Sequence, residues 1–421
     1  MPKRTYDDVS RSSSSKGPEA QQDEERRERH YMLKVGDEFD SHRYRVQREL
    51  GKGTFGRVIE MLDTQAGCTV AVKVVRAIKK YTHAAHVEAQ IILAMQQTFP
   101  SSDFPIAKLL RCFDHGGHFC LVFEPMGPSL YHRLRDIRSY IESLGRHGMP
   151  YRQTSSYFSL SQIATIAHDC FVALAHLHKI RLTHTDLKPE NILLVESPPH
   201  WRAPPSRFNV VLIDFGGATW EHEHHSAVVC TRQYRPPEVT LELPWTHSID
   251  LWSMGCILAE LWTGSVLFST HDEVEHLALM ERLLGTLPGR MLRHARMMKP
   301  FIKNGALRWP SVAPSRDSQS FVRYQPRLRE VIGGEGTEDY EAGFGPFLWT
   351  TELKDFYNLV LQLLEYFPEN RLPASDCLTH PFLRSTAAAC TSTQQGTGDR
   401  YSTCSSKDRE GSKSSQDTRT A

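Results

Sequence analysis

From residue 44 onward the hydrophobic positions follow first one period and then another. Residues 44–50, Tyr-Arg-Val-Gln-Arg-Glu-Leu, alternate apolar and polar, which predicts a strand with one buried face. The runs 58–61, 70–75 and 118–124 add further β-rich stretches. Between them, 81–99 repeats at helical spacing, with Ala85, Ala89, Ile92 and Gln96 on one face. After residue 128 the helical period dominates. Residues 130–144 read as a helix that Gly145 would stop, and 160–178 sets Ile163, Ile166, Ala167, Cys170, Leu174 and Leu177 on one side. Short apolar runs at 192–195 and 208–213 interrupt it as small buried strands. The most apolar window, 249–268, contains Asp250, Gly255 and Glu260, so it fits a buried helix better than a membrane span. This order predicts an α+β chain: a small strand-rich part with one helix over 34–125, then a larger, mostly helical part over 128–384.

The ends lack such patterning. Residues 1–33 are polar, with Ser12 to Ser15 followed by the charged run 23–29, and 385–421 are Ser, Thr, Gln and Gly with few apolar residues. Neither can bury enough apolar surface to offset the entropy of ordering, so both are expected to be disordered tails. The basic residues near the N-terminus read as a solvated charge run, with a nuclear import signal as the alternative. Residues 147–157 are a polar loop and 196–206 a proline-rich insertion. Lys plus Arg number 50 and Asp plus Glu 49, a net charge of +1, which argues against a bulk polyanion partner. Nine cysteines without a C-x-x-C pair read as free thiols in a reducing compartment. No secretory signal is visible at Met1-Pro2-Lys3-Arg4.

The chemistry concentrates at His184-Thr185-Asp186-Leu187-Lys188-Pro189-Glu190-Asn191. Phosphoryl transfer needs such a set: Asp186 can accept the proton of an attacking hydroxyl, Lys188 can neutralise charge on the moving phosphate, and Asn191 can offer an oxygen to magnesium. A charged surface loop would have the same composition, so the partners decide. Gly51-Lys52-Gly53-Thr54-Phe55-Gly56 follows a predicted strand, and glycines at 51, 53 and 56 let backbone N–H groups approach phosphate oxygens. Dinucleotide-binding folds share that pattern but continue into a helix, whereas β-type residues follow here. Lys73 sits among apolar neighbours in 70–75, and a buried lysine usually has an anionic partner. Glu88 lies fifteen residues later within the predicted helix, and Asp214-Phe215-Gly216 falls 28 residues after Asp186.

Together these stretches resemble the eukaryotic protein kinases. The resemblance implies a two-lobed fold with a small antiparallel β lobe, a hinge at 124–128 and a larger helical lobe, with ATP and Mg2+ as cofactors. It implies an ion pair between Lys73 and Glu88, and Asn191 and Asp214 as magnesium ligands. Adenine would lie between Leu50, Val58, Ala71 and Leu193, with Phe123 behind it, and take hydrogen bonds from the Glu124 carbonyl and the Met126 N–H. Glu238 would pair with Arg371, and Asp250 would hold the backbone of the loop before Asp186. Within the kinases, Glu275-His-Leu-Ala-Leu-Met-Glu-Arg282 closely resembles the E-H-L-A-M-M-E-R signature of the LAMMER, or CDC-like, dual-specificity family, with Leu279 in place of methionine. Thr185 before Asp186 and the run Glu223-His-His-Ser226 are also that family's forms. Membership implies phosphorylation of Ser and Thr, with Tyr in autophosphorylation, and Arg/Ser-rich splicing factors as protein substrates. It implies a monomer in the nucleus, with the cytoplasm as a second compartment, and no membrane. The arginines scattered over 290–329 read as the solvated face of the family's insert, 270–330, rather than an RNA-contacting face, so no direct nucleic-acid binding is expected. The rival readings are a kinase of a neighbouring family with other substrates, and a pseudokinase scaffold, which would have no chemical need for the whole set.

Overall fold

The computed structural model describes residues 29–99, 104–146, 157–196, 208–295, 298–333 and 349–384. The alternating segments pair into a six-stranded sheet, in the order β1-β2-β3-β4-β6-β5, antiparallel throughout. Its strands are β1 (Glu38–Phe39), β2 (Tyr44–Gly53), β3 (Gly56–Asp63), β4 (Cys68–Val75), β5 (Leu109–His115) and β6 (His118–Phe123). Strand side chains alternate between the two faces of a sheet. Val46, Ile59, Met61, Val70, Val72, Val74 and Val122 therefore fill one face as a closed core. The register sets Val58 opposite Lys73 and Ala71 opposite Phe123, which gathers those four on the other face.

Helix α1 (Lys79–Thr98) crosses that second side. It has no side-chain cap at its start and is held by packing, burying Ala85, Glu88, Ala89, Ile91, Ile92 and Met95. Gln96 pins it to β5, accepting from the Leu109 N–H at 2.8 Å and donating to the Leu109 carbonyl at 3.2 Å.

Three details differ from the expectations. Residues 29–33, assigned by composition to the polar tail, pack on the sheet: the Tyr31 ring lies 4.9 Å from that of Phe39, and the Ala77 N–H donates to the Arg29 carbonyl at 3.1 Å. Tyr31 and Leu33 supply apolar contact that the neighbouring charged run hides in any averaged composition. Gly145 does not stop its helix, since α2 runs from Leu130 to Arg146. Glycine ends a helix when the backbone turns left-handed, and nothing in the sequence alone enforces that here. The strand expected over 208–213 is only Val210–Leu212. The expected loop 147–157, apart from Tyr157, and most of the proline-rich insertion lie outside the described residues, as do most of the tails.

The second lobe is built around α3 (Leu160–Lys179) and α5 (Ser248–Thr263), the latter following the single turn α4 (Pro237–Thr240). Helix α3 starts with a capping box, Ser159 and Gln162 bonding each other's backbone N–H. It is long and apolar enough to cross a membrane by length and composition, but it is a core helix here, with Ile163, Ala167, Cys170, Leu174 and Leu177 fully buried. Three short strands, β7 (Leu182–Thr183), β8 (Ile192–Leu194) and β9 (Val210–Leu212), precede β10 (Thr219–Trp220); β8 pairs with β9 and β7 with β10. Helix α5 is buried from Ser248 to Trp262. Gly255 lets it approach Leu364 closely, because a Cβ there would lie 2.9 Å from the Leu364 side chain. Around it stand α6 (Glu273–Leu284), α7 (Gly289–His294), the hairpin β11 (Ile302–Lys303) with β12 (Ala306–Leu307), α8 (Arg316–Arg323), α9 (Leu328–Gly333), α10 (Thr351–Leu363) and the turn α11 (Ala374–Cys377). The motif helix α6 buries Leu277, Met280 and Leu283 together with His276. Asp272 caps it, accepting from the N–H groups of Val274 and Glu275. Glu238 and Arg371 tie the lobe together by two charge-assisted bonds of 2.5 and 2.6 Å, both side chains fully buried.

Candidate active site

The two lobes meet at Lys73. Its Nζ donates to Glu88 Oε1 at 3.0 Å and Oε2 at 2.8 Å, and to Asp214 Oδ1 at 3.0 Å. Strand β4 places the lysine, α1 the glutamate, and the loop after β9 the aspartate. Burial works against the Lys73 charge, but the two carboxylates outweigh it and push its pKa up, so it is a permanent cation. Burial likewise opposes ionisation of Asp214, yet the charge and hydrogen bond of Lys73 hold its carboxyl below the usual carboxylate range. Phe215 is fully buried beside the His184 ring, centroids 5.0 Å apart.

The loop 184–191 is fixed from below by Asp250. One carboxylate oxygen accepts the His184 N–H at 2.9 Å and faces His178 Nε2 at 3.0 Å; the other accepts the Thr185 N–H at 3.0 Å. Burial opposes its charge, but the His178 contact and the neighbouring N–H groups keep its pKa depressed. The loop turns sharply here. Thr185 has φ 70°, Asp214 φ 66° and Cys230 φ 63°, three non-glycine residues in the left-handed region within one site. Thr185 Oγ1 donates to the Gly217 carbonyl at 2.8 Å, which links the loop to the segment after Asp214.

Asp186 is held on both oxygens. Oδ1 accepts the Thr231 hydroxyl at 2.7 Å and the Thr231 N–H at 3.1 Å, and Oδ2 accepts Lys188 Nζ at 2.6 Å. Lys188 also reaches the Thr231 hydroxyl at 3.1 Å. Asn191 directs its amide nitrogen to Asp186, at 2.8 Å from the carbonyl and 3.5 Å from Oδ2. Its amide oxygen is what it offers outward. An amide oxygen on Asn191 and a depressed carboxylate on Asp214 are a hard oxygen pair of the kind magnesium takes.

Above this set, the glycine-rich stretch is the β2–β3 hairpin. Nothing lies within 4 Å of a Cβ built at Gly51 or Gly53, which leaves their backbone open to a ligand. Gly56 has another reason: a Cβ there would sit 2.2 Å from the Val74 carbonyl, so only glycine fits against β4. At the tip, Phe55 turns toward Lys73, its ring centroid 5.9 Å from Nζ, and meets Tyr81 of α1 edge-on at 5.5 Å. Val58, Ala71, Phe123 and Leu193 are half-buried around the cleft and Leu50 is exposed at its mouth. The chain leaves β6 through Glu124-Pro125-Met126 and is anchored where the Gly127 N–H donates to the Leu194 carbonyl at 2.8 Å. Lys73, Glu88 and Asp214 are thus brought together in one group, and Asp186, Lys188 and Asn191 in a second.

Two nearby carboxyls were not anticipated. Glu190 has an Oε2 with no hydrogen-bond partner among the described residues, and burial pushes its pKa up, with the Asp186 charge adding to the effect. Glu260 of α5 accepts the Tyr234 hydroxyl at 2.6 Å, and burial, with the charge of Glu190 adding to it, pushes its pKa up to about 7. The signal for Glu260 was its place, with Asp250, as one of two acids in the most apolar window of the chain.

The protein kinase domain model matches residues 44–383. Serine/threonine-protein kinase AFC1 of Arabidopsis thaliana is 37% identical over 372 residues, covering 84% of this chain and 73% of that protein. Dual specificity protein kinase CLK1 of Homo sapiens is 37% identical over 373 residues, covering 85% and 69%. A solved kinase domain superposes with a TM-score of 0.69 at 33% identity, over 84% of this chain and 99% of that one. The Lys73–Glu88–Asp214 triangle, the loop around Asp186 and these likenesses agree, and the chain belongs to the protein kinases, in the LAMMER branch that holds the AFC and CLK enzymes.

Proposed function

We propose that this kinase transfers the γ-phosphate of ATP to Ser or Thr hydroxyls, and to Tyr in autophosphorylation, within arginine-containing protein segments such as those of Arg/Ser-rich splicing factors. In this reading Asp186 accepts the hydroxyl proton, and Lys188, bonded to it, neutralises charge on the moving phosphate. Lys73, held by Glu88, aligns the phosphates beneath Gly51 and Gly53. Asn191 and Asp214 would hold Mg2+, which when bound supplies charge neutralisation on the phosphates. Leu50, Val58, Ala71 and Leu193 enclose the adenine, Phe123 lies behind it, and Glu124 and Met126 offer the carbonyl and N–H that it pairs with.

The observation that carries the substrate class is the Glu190–Glu260 pair. Glu190 keeps a buried Oε2 without a partner in the field of Glu260, and two such carboxyls, both raised by burial, are stabilised by a nearby cation. A guanidinium on the substrate meets that need with planar, paired donors. The test is an oriented peptide screen on the purified enzyme. Arginine should be selected close to the phosphorylated serine, and Glu190→Gln with Glu260→Gln should lower kcat/KM for such peptides by about tenfold to a hundredfold, the worth of one charged hydrogen bond. Peptides without arginine should be affected far less. An equal loss on both kinds of peptide refutes the assignment. Asp186→Asn, in the same assay, should slow transfer by roughly 10²–10⁴-fold with the fold intact, and wild-type turnover would exclude it as the base. Nuclear residence belongs to the same reading and is checked by imaging a fluorescent fusion.

A further inference from the structure

The stretch 299–311 lies in the insert and takes no part in the chemistry above. After α7 the chain makes a short turn at Lys299–Phe301, then the hairpin β11–β12, then Arg308-Trp309-Pro310-Ser311. The hairpin is tight, with Asn304 at φ 54° and Gly305 at φ 74°. It is also seated firmly on α7, because a Cβ at Gly289 would lie 3.0 Å from the Gly305 carbonyl.

A cavity of about 630 Å³ opens against this hairpin, and Lys299, Ile302, Lys303, Arg308, Trp309 and Ser311 line it. Among the described residues no Asp or Glu lines it. Three cations on one small concave surface repel each other until an anion enters. Arg308 is fixed for such a role. One guanidinium N–H donates to the Pro300 carbonyl at 2.7 Å and its backbone N–H to the Phe301 carbonyl at 2.8 Å, which leaves the rest of the fork for an external acceptor. Trp309, half-buried, adds an apolar wall.

We propose that this cavity is a docking site for a phosphorylated serine or threonine side chain of a peptide. The inference rests on the kinase activity of the chain and not on the identity of its substrate. A phosphoryl dianion presents three acceptor oxygens, which suit the three cationic side chains that line the cavity. The enzyme makes such side chains, so its own product supplies the ligand. A substrate phosphorylated once would be retained on the insert while a further hydroxyl reaches Asp186, a gain in effective concentration that needs no tighter cleft. A single-stranded RNA is the rival ligand. It calls for a basic track along a strand, whereas these cations gather in one cavity of a chain whose net charge is +1.

The test uses matched peptides, one with phosphoserine and one with serine at the same position, titrated by fluorescence anisotropy against the full chain. The phosphopeptide is expected to bind at least about tenfold more tightly, the difference one charge-assisted contact makes. The preference should vanish in Lys303→Glu/Arg308→Glu, while phosphate transfer to a short serine peptide stays unchanged. Equal binding of the two peptides, or a preference that survives in the variant, overturns the proposal. An oligouridine that binds the wild type and not the variant, with no phosphopeptide preference, assigns the surface to RNA and overturns it as well. Lys303→Gln is the second variant should the double one fail to fold, and it should reduce the preference partly. Loss of phosphate transfer in the wild type would bear on the kinase reading, and loss of the preference on this site alone.

Discussion

An enzyme stripped of phosphate should remain active, because the segment 214–238 is held by its own contacts. An arginine at 185 would be a buried cation waiting for a phosphate on that segment. Thr185 carries no charge, and its hydroxyl is already used on Gly217. The segment pairs Thr219 and Trp220 with β7. Further along, the Trp245 indole N–H donates to the Ser226 carbonyl at 2.9 Å while its ring stacks on His225, centroids 4.0 Å apart. Arg235 donates to the carbonyls of Val229 and Cys230, each at 3.0 Å, and Thr231 donates twice to Asp186. Six side-chain-dependent hydrogen bonds at about 1 kcal/mol each outweigh a single lost contact. Activity after dephosphorylation should therefore stay within about one order of magnitude, a barrier change of at most about 1.4 kcal/mol. The assay is phosphatase treatment, mass spectrometry to verify removal, and initial rates on an Arg/Ser-rich peptide taken before autophosphorylation restores the groups. As a control, Trp245→Phe keeps an aromatic ring, smaller than the indole, and removes one N–H bond, and should slow treated and untreated enzyme alike by about fivefold, near 1 kcal/mol. A roughly hundredfold loss on phosphatase treatment, recovered on rephosphorylation, would show that another basic group replaces the missing arginine.

Three further outcomes follow from buried charges. Lys73→Ala should abolish activity and also destabilise the fold, by about 3 kcal/mol at neutral pH, since it strands Glu88 and Asp214; a thermal melt checks it. That loss should shrink as pH falls, because a carboxyl whose folded pKa is raised gains stability from taking a proton below it. Glu238→Ala leaves Arg371 unpaired at 0% side-chain exposure and should cost about 3–5 kcal/mol, read as a lower denaturant midpoint with unchanged slope. With Glu260 pushed up to about 7, kcat/KM for arginine peptides should fall as pH drops below that value, since the protonated carboxyl no longer attracts a cation; a flat profile, matching that of arginine-free peptides, would rule out Glu260 as the contact.

The sequence was most readable where chemistry and period coincide. Lys73 could be found because a lysine among valines demands a partner, and Glu88 because it lies on the buried face of a periodic helix. Asp250 and the Glu238–Arg371 pair were legible only through resemblance, since no local pattern links positions 133 residues apart. Tyr31 was lost in its charged neighbours. Gly56 was read as a phosphate contact, while its closest constraint is the Val74 carbonyl of another strand. Glu190 and Glu260 escaped because their relation exists only after α5 packs beneath the loop. Such features depend on long-range geometry, which composition and spacing do not encode.

The left-handed backbone at Thr185, Asp214 and Cys230 bears on how activity is lost. A β-branched residue at φ 70° stores strain of about 1–3 kcal/mol, and Asp250 is what opposes it. A clamp of that kind fails in steps. Weakening Asp250 lets Thr185 relax into an ordinary conformation, and Asp186, one residue on, swings with it. Variants at Asp250 should thus divide into near-normal and dead, with few of intermediate rate. Graded variants should come instead from Glu260, the proposed contact for a substrate arginine, where no backbone is under tension. Cys230 offers the converse: glycine there would accept φ 63° without strain, a gain set against the thiol's packing on Val239, Trp245 and Ile249.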